Sequence, residues 1–395
     1  QAPADGLRPA TSGDAAPATA DRAGLLRVAP AQWTRTARLD FSAWPARGDR
    51  TGDTALLDRA LTAWQHGGPT VHTEPGTPAG PPAAPARLLY AGTVDGDRVA
   101  VLYDGGRIAH WSDAGGLTLA RADDSDVTTG AAVVLRRTAR SVRLLLAPWV
   151  ATAELRRLRE PDTPARPVSR TGGVTEALAT AGADCQAGPV LQLRSSRTVA
   201  ENHAFLLADV GGLVPAHLTY TPPPREGAAR APREATGSEA LVTWSRTACA
   251  LPEHGPGVKE VNAWAFAEQQ LPQRAGTATW VCLRTDRWNG DGSAATEVLL
   301  PGAAGGAVRT GLAEGRGCSR FDQNAVGWTR WRAPDGRDFL LVAGSRRVAR
   351  LSVRGAGAPV DESPSDRTLA VERPTAGRPE VTGVLDDGTV VRPPS

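Results

Sequence analysis

The chain has 395 residues, 41% hydrophobic and 22% charged, enough for a packed core and more than a single core usually holds. Its net charge of +3 is almost wholly arginine, because lysine occurs once, at Lys259. The arginines are spread among 42 acidic residues, which argues against a nucleic-acid surface, and no apolar run reaches the roughly 18–20 residues that cross a bilayer.

Poverty in Lys, Ile, Asn and Met beside abundant Ala, Gly, Pro and Arg reflects a genome rich in G and C. Without an initiating Met the chain reads as a processed product that followed a signal peptide or an anchor helix, its only expected contact with a membrane. Residues 1–25 carry almost no bulky apolar side chain and are expected to be a disordered stalk or linker. The body then divides into 26–160, a helix plus a β-meander, and 161–395, a β-rich region holding all four cysteines. The Pro-rich stretches Glu74–Ala86 and Tyr220–Gly237 read as connectors.

Asp53 is placed to cap a helix that buries Leu57, Leu61 and Trp64 and stops at Gly67. A second helix is expected over Ser238–Cys249, ending before Pro252, and a short helical turn over Glu154–Arg159. Between the helices, Arg87–Val94, Arg98–Tyr103 and Arg107–Trp111 read as strands joined at Asp95-Gly96 and Asp104-Gly105-Gly106. A like unit recurs at Ser141–Arg157, His203–Tyr220, Thr277–Asp286, Arg337–Val353 and Glu380–Pro393. The first strands are apolar on consecutive residues, which implies cover on both faces. The expected fold is therefore mainly β: irregular β-propeller-like repeats of antiparallel meanders, continuous from 26–160 into 161–395. The alternative is a pair of β-sandwich or barrel-like domains, favoured by the alternating stretches Val261–Ala267 and Val326–Arg332.

Cys185, Cys249, Cys282 and Cys318 contain no CxxC pair and no histidine at metal-ligand spacing, so two disulfides are expected and no metal or other cofactor. Sequential pairing, Cys185–Cys249 and Cys282–Cys318, closes the shorter loops. Neither a nucleophile elbow nor a phosphate-binding loop is present, and His66, His72, His110, His203, His217 and His254 lie far apart in sequence. No catalytic residue is singled out. In the segment 286–292, Trp288 beside Asn289 and Asp291 has the makings of a sugar contact, and the same segment fails as a calcium loop. Trp328 and Trp331, three apart in one strand, point to opposite faces, so one of them joins Trp288 as a candidate anchor. The acidic turns 123–126 and 361–362 read as solvated.

The stretches Asp40–Asp49, Leu88–Trp111, Leu218–Gly237 and Val261–Pro272 resemble a family of actinobacterial membrane-anchored or secreted extracytoplasmic proteins that carries no assigned activity. The resemblance implies location and origin and transfers no functional residue. A non-enzymatic sensing or binding module at the cell envelope is the expected function, its partner a cell-wall glycan or an envelope protein. A secreted hydrolase with a site built from separated loops and a structural assembly subunit are the alternatives.

Overall fold

The first helix forms where its cap places it. In the computed structural model, which describes residues 18–20, 24–180, 188–223, 230–302 and 306–395, the Asp53 carboxylate accepts from the Leu56 amide at 3.0 Å, opening the helix Thr54–His66. Gly67, at φ 69°, closes it. Leu56, Leu57, Ala60 and Trp64 are its buried stripe, and they lie on the meander Arg87–Val94, Asp97–Tyr103, Arg107–Ser112 and Gly116–Arg121. Asp95 and Gly96, at φ 48° and 83°, make the first turn of that meander.

Along these strands Leu88, Ala91, Ala100 and Leu102 face the helix, while Leu89, Val99, Val101 and Tyr103 face the opposite way. There they meet the hairpin Ala132–Arg137 and Ser141–Leu146, together with Val150–Arg156, Val190–Ser195 and Ala204–Ala208 from another sheet. The consecutive apolar runs are thus explained by helix on one face and sheets on the other.

The second half uses the same plan. Ala18–Ala20 pairs antiparallel with Leu26–Val28, which runs parallel to Arg87–Val94 after the helical crossover. Ala204–Ala208 pairs antiparallel with Ala216–Thr221, which runs parallel to Val258–Gln270 after the helix Ser238–Thr247. That helix buries Ala240, Leu241 and Trp244, and Ala248 one turn on, the spacing of Leu56, Leu57, Ala60 and Trp64. Each crossover leads into a four-stranded meander, the second being Val258–Gln270, Thr277–Arg287, Gly292–Leu299 and Val308–Glu314. A hairpin follows, Val326–Arg332 with Asp338–Gly344 in the second unit, and then a corner into a different sheet.

The corners match bond for bond. Ala147 N–H donates to Ala131 O at 2.8 Å and Val150 N–H to Ala147 O at 3.1 Å; Ser345 N–H donates to Ala325 O at 2.8 Å and Val348 N–H to Ser345 O at 2.9 Å. Beyond the corner, Val150–Arg156 pairs with Arg166–Pro167 and Val190–Ser195, as Val348–Arg354 pairs with Val360–Glu362 and Glu380–Leu385. Likewise Ser141–Leu146 takes Leu178–Ala179, and Asp338–Gly344 takes Thr368–Glu372. Equivalent elements stand roughly 190 residues apart. One topological unit is used twice, over 18–203 and 204–391, and a ten-stranded sheet joins the copies.

Several local expectations change. Glu154–Arg159 is no helical turn: Val150–Arg156 is a strand, because Ala153 and Leu155 recur at the period of two that packs on the core. The second α-helix ends at Thr247, and a 3-10 helix, Ala248–His254, continues through Pro252. Within the stretch read as a linker, Ala18–Ala20 is a strand. Ser141–Arg157 and Arg337–Val353 do resemble each other, yet each is a corner between two sheets and not a hairpin. At the second corner a Cβ on Gly344 would come within 2.7 Å of the Val348 side chain. Of the expected architecture, the mainly β fold with covered sheets is what holds.

Candidate binding clefts

In the first unit the loop 29–40, the loop 122–131 and the turn 196–203 enclose a cleft of about 580 Å³. Loop 122–131 is held from beneath. The Trp149 indole N–H donates to Val127 O at 2.9 Å and that of Trp44 to Gly130 O at 3.2 Å, with the two rings edge to face at 6.3 Å. Asp126 Oδ1 accepts from the amides and hydroxyls of both Thr128 and Thr129 at 2.8–3.0 Å. Burial opposes its charge, but these four donors hold the Asp126 carboxyl below its ordinary range. Asp123 pairs with Arg121 at 2.7 Å, both side chains buried. The acidic turn expected to be merely solvated is therefore partly structural: Asp123 is buried in its ion pair, while Asp124 and Asp126 are exposed and line the cleft.

Asp124 stands at φ 53°, a left-handed position costly for a residue with a Cβ. The ammonium of Lys259, from the second unit, reaches its carbonyl at 2.8 Å and lies 4.8 Å over the Trp288 ring. Next to it Ser125 is 4% exposed, and its hydroxyl has no hydrogen-bond partner among the described residues. A buried unpaired hydroxyl costs about 1–3 kcal/mol, which a ligand group reaching it would recover. Half-buried Trp33 and Thr36 and exposed Thr198 supply the walls, and Arg38 is engaged by buried Asp40 at 2.5 Å. That leaves Asp124 and Glu201, with the remaining oxygen of Asp126, as the charges offered to a ligand.

A second assembly lies just beyond Glu201. His203 faces the Glu201 carbonyl through Nδ1 at 3.0 Å and Glu234 through Nε2 at 3.1 Å. His217 faces the other Glu234 oxygen at 2.8 Å and Glu260 at 3.5 Å, and the Thr219 hydroxyl is 3.0 Å from Glu260. Burial alone would lower the His217 imidazole, but the hydrogen bonds and charges of Glu234 and Glu260 push it up to about 10. The same imidazolium holds Glu260 below its ordinary range although burial works to raise it. At neutral pH both His217 N–H groups are committed, so it ties the strand to its neighbours and is not free to abstract a proton. Between the units, Glu74 accepts from the Leu213 amide at 2.6 Å, and burial pushes its carboxyl up to about 7.

The residues singled out in the sequence are not brought together. Trp288 is 7% exposed and packs in the core of the first unit, while Asn289 and Asp291 bond to each other at 2.6 Å and close the turn. Trp328 and Trp331, both half-buried, pack on two different core clusters, one from each face of their strand. Cys282 and Cys318 form the expected disulfide, with Cα atoms 6.3 Å apart. Cys249 lies in the 3-10 helix after the second α-helix, and Cys185 falls outside the described residues. The histidine–glutamate group was missed, although His217, Thr219 and Thr221 alternate with buried Leu218 and Tyr220, the mark of a polar face on a covered strand.

No protein-family model, curated protein or solved structure matches the chain.

Proposed function

We propose that the chain is an extracytoplasmic binding module of the bacterial cell envelope, secreted or membrane-anchored, whose first cleft holds the sugar rings of a cell-wall glycan without transforming them. The observation that carries this reading is the Ser125 hydroxyl, buried and unpartnered beside an indole and two carboxylates. Sugar rings stack on flat aromatic faces and exchange hydrogen bonds with carboxylates and hydroxyls, and that is the set Trp33, Asp124, Ser125 and Glu201 supplies. The Cys282–Cys318 disulfide is compatible with an oxidising compartment, and no helix among the described residues is long and apolar enough to cross a membrane.

The test is titration of the full chain with soluble glycan fragments released from bacterial cell wall, followed by calorimetry. Trp33→Ala and Ser125→Val should each weaken binding, Trp33→Ala by about tenfold or more, the loss of one stacking face. Wild-type affinity in both variants, or no binding by the unaltered chain at millimolar fragment, removes the reading.

A further inference from the structure

We infer that the second unit carries its own ligand site, at the position equivalent to the first cleft, and that this site takes the phosphate or carboxylate groups of an acidic wall polymer. The identity of the polymer rests on the preceding reading; the oxyanion site does not.

The argument begins with topology. Loops 29–40 and 122–131 follow Leu26–Val28 and Gly116–Arg121. Their counterparts, 222–223 with 230–235 and 315–325, follow Ala216–Thr221 and Val308–Glu314. Even the entry bond is shared: Ala122 N–H donates to Gly106 O at 2.8 Å, and Gly315 N–H to Gly292 O at 2.8 Å. The counterpart loops border a hollow of about 200 Å³ lined by Arg230, Trp264, Arg320, Phe321 and Arg346. Through Arg230, Arg320 and Gln323 it continues into the groove of about 520 Å³ beside His217 and Glu234.

The charge there is organised. Arg347 is spent on Asp386 at 2.6 Å and Asp387 at 2.7 Å, whereas Arg230 and Arg320 have no carboxylate partner among the described residues. The Gln323 amide donates to Arg230 O at 3.0 Å and so ties the two loops together. The Cys282–Cys318 disulfide pins the second loop two residues before Arg320. The backbone that carries the two guanidinium groups is thereby set on one rim, and a guanidinium fork matches phosphate and carboxylate oxygens. Phe321, 83% exposed with the Arg320 guanidinium 4.6 Å over its ring, gives the same rim a flat apolar contact. The first cleft offers carboxylates and an indole; the second offers cations and a phenyl ring.

The experiment uses the full chain, with inorganic polyphosphate and polygalacturonate as probes and neutral dextran as control. The Arg230→Ala/Arg320→Ala double variant should lose tenfold or more in affinity for the polyanion that binds, with an unchanged circular dichroism spectrum. Trp33→Ala should leave that affinity unaltered. Binding of polyphosphate but not polygalacturonate identifies phosphate as the group taken, and the reverse identifies carboxylate. Unaltered affinity in the double variant overturns the site. An equal loss in Arg354→Ala/Arg378→Ala, exposed arginines outside the cleft, also overturns it, because binding would then follow net charge alone. If polyanions bind through Arg230 and Arg320 while wall glycan fragments bind nowhere, the proposed function fails and the oxyanion site stands.

Discussion

Loops 122–131 and 315–325 occupy the same place in the two units and are secured by different means. The first rests on two indoles, Trp44 and Trp149, whose N–H groups take its carbonyls. The second is tied by a covalent bond, Cys282–Cys318. The corner beneath each loop shows how the exchange arises. Between its two equivalent hydrogen bonds the first corner carries Pro148-Trp149, with Trp149 fully buried, and the second carries Arg346-Arg347, both lining the hollow. Where one unit turns a large apolar side chain inward to support its loop, the other places two arginines at the corner, Arg347 paired with Asp386 and Asp387, and its loop is pinned by the disulfide instead. Backbone topology sets where a cleft stands, and the side chains at equivalent positions set what it binds.

The sharpest way to break this comparison is Trp149→Ala. It removes a fully buried ring and a hydrogen bond to Val127, and should cost about 3–5 kcal/mol in urea denaturation. A cost below 1 kcal/mol would mean that loop 122–131 is held by something else. Replacing Cys282 and Cys318 by Ala opens a closure of 36 residues and should cost about 2–4 kcal/mol. Reduction of the unaltered chain should cost at least as much, because Cys249 is disulfide-bonded as well; an unchanged urea midpoint under reductant would remove the disulfide's part in the contrast.

The polar groups around the junction should respond to pH, both in the same direction. Glu74 holds its proton up to about 7 in the fold and releases it near its ordinary value of 4.5 when unfolded, so stability falls as pH rises between those values. His217 is an imidazolium in the fold up to about 10, against an ordinary value of 6.5. Its contribution is therefore complete below pH 6.5 and is lost as pH rises toward 10. Urea midpoints measured against pH should lose their lower slope in Glu74→Gln and their upper slope in His217→Gln; retention of either slope contradicts the corresponding assignment. The smallest effect is expected from Lys259→Ala, about 0.5–1 kcal/mol for the contact over Trp288. That change also frees the Asp124 carbonyl and should weaken glycan binding a few-fold in the same calorimetric titration, and unaltered affinity would show that Asp124 needs no such support.

Much of the fold was legible where the signal is local. The Asp53 cap, the Asp95-Gly96 turn and the doubly covered strands all formed as their residues imply. The likeness of Ser141–Arg157 to Arg337–Val353 also pointed to equivalent parts of the two units. The candidate sites were far less legible. Trp288 looked like an exposed anchor because its neighbours make a turn, but a core built by residues 28–214 covers it. Nothing local distinguishes Ser125 or Arg320 from other serines and arginines, since what matters is a missing partner and a neighbouring loop.

By itself the sequence determined the class of structure, the helix starts, the turn positions and one disulfide, because caps, left-handed turns and period-two burial act over a handful of residues. Tertiary structure alone decided that the unit is used twice, and that Glu234 stands between His203 and His217 while loops about 90 residues apart border each cleft. Those meetings depend on which strands pair and which faces stack, and that choice is made by the whole core and not by any segment of it.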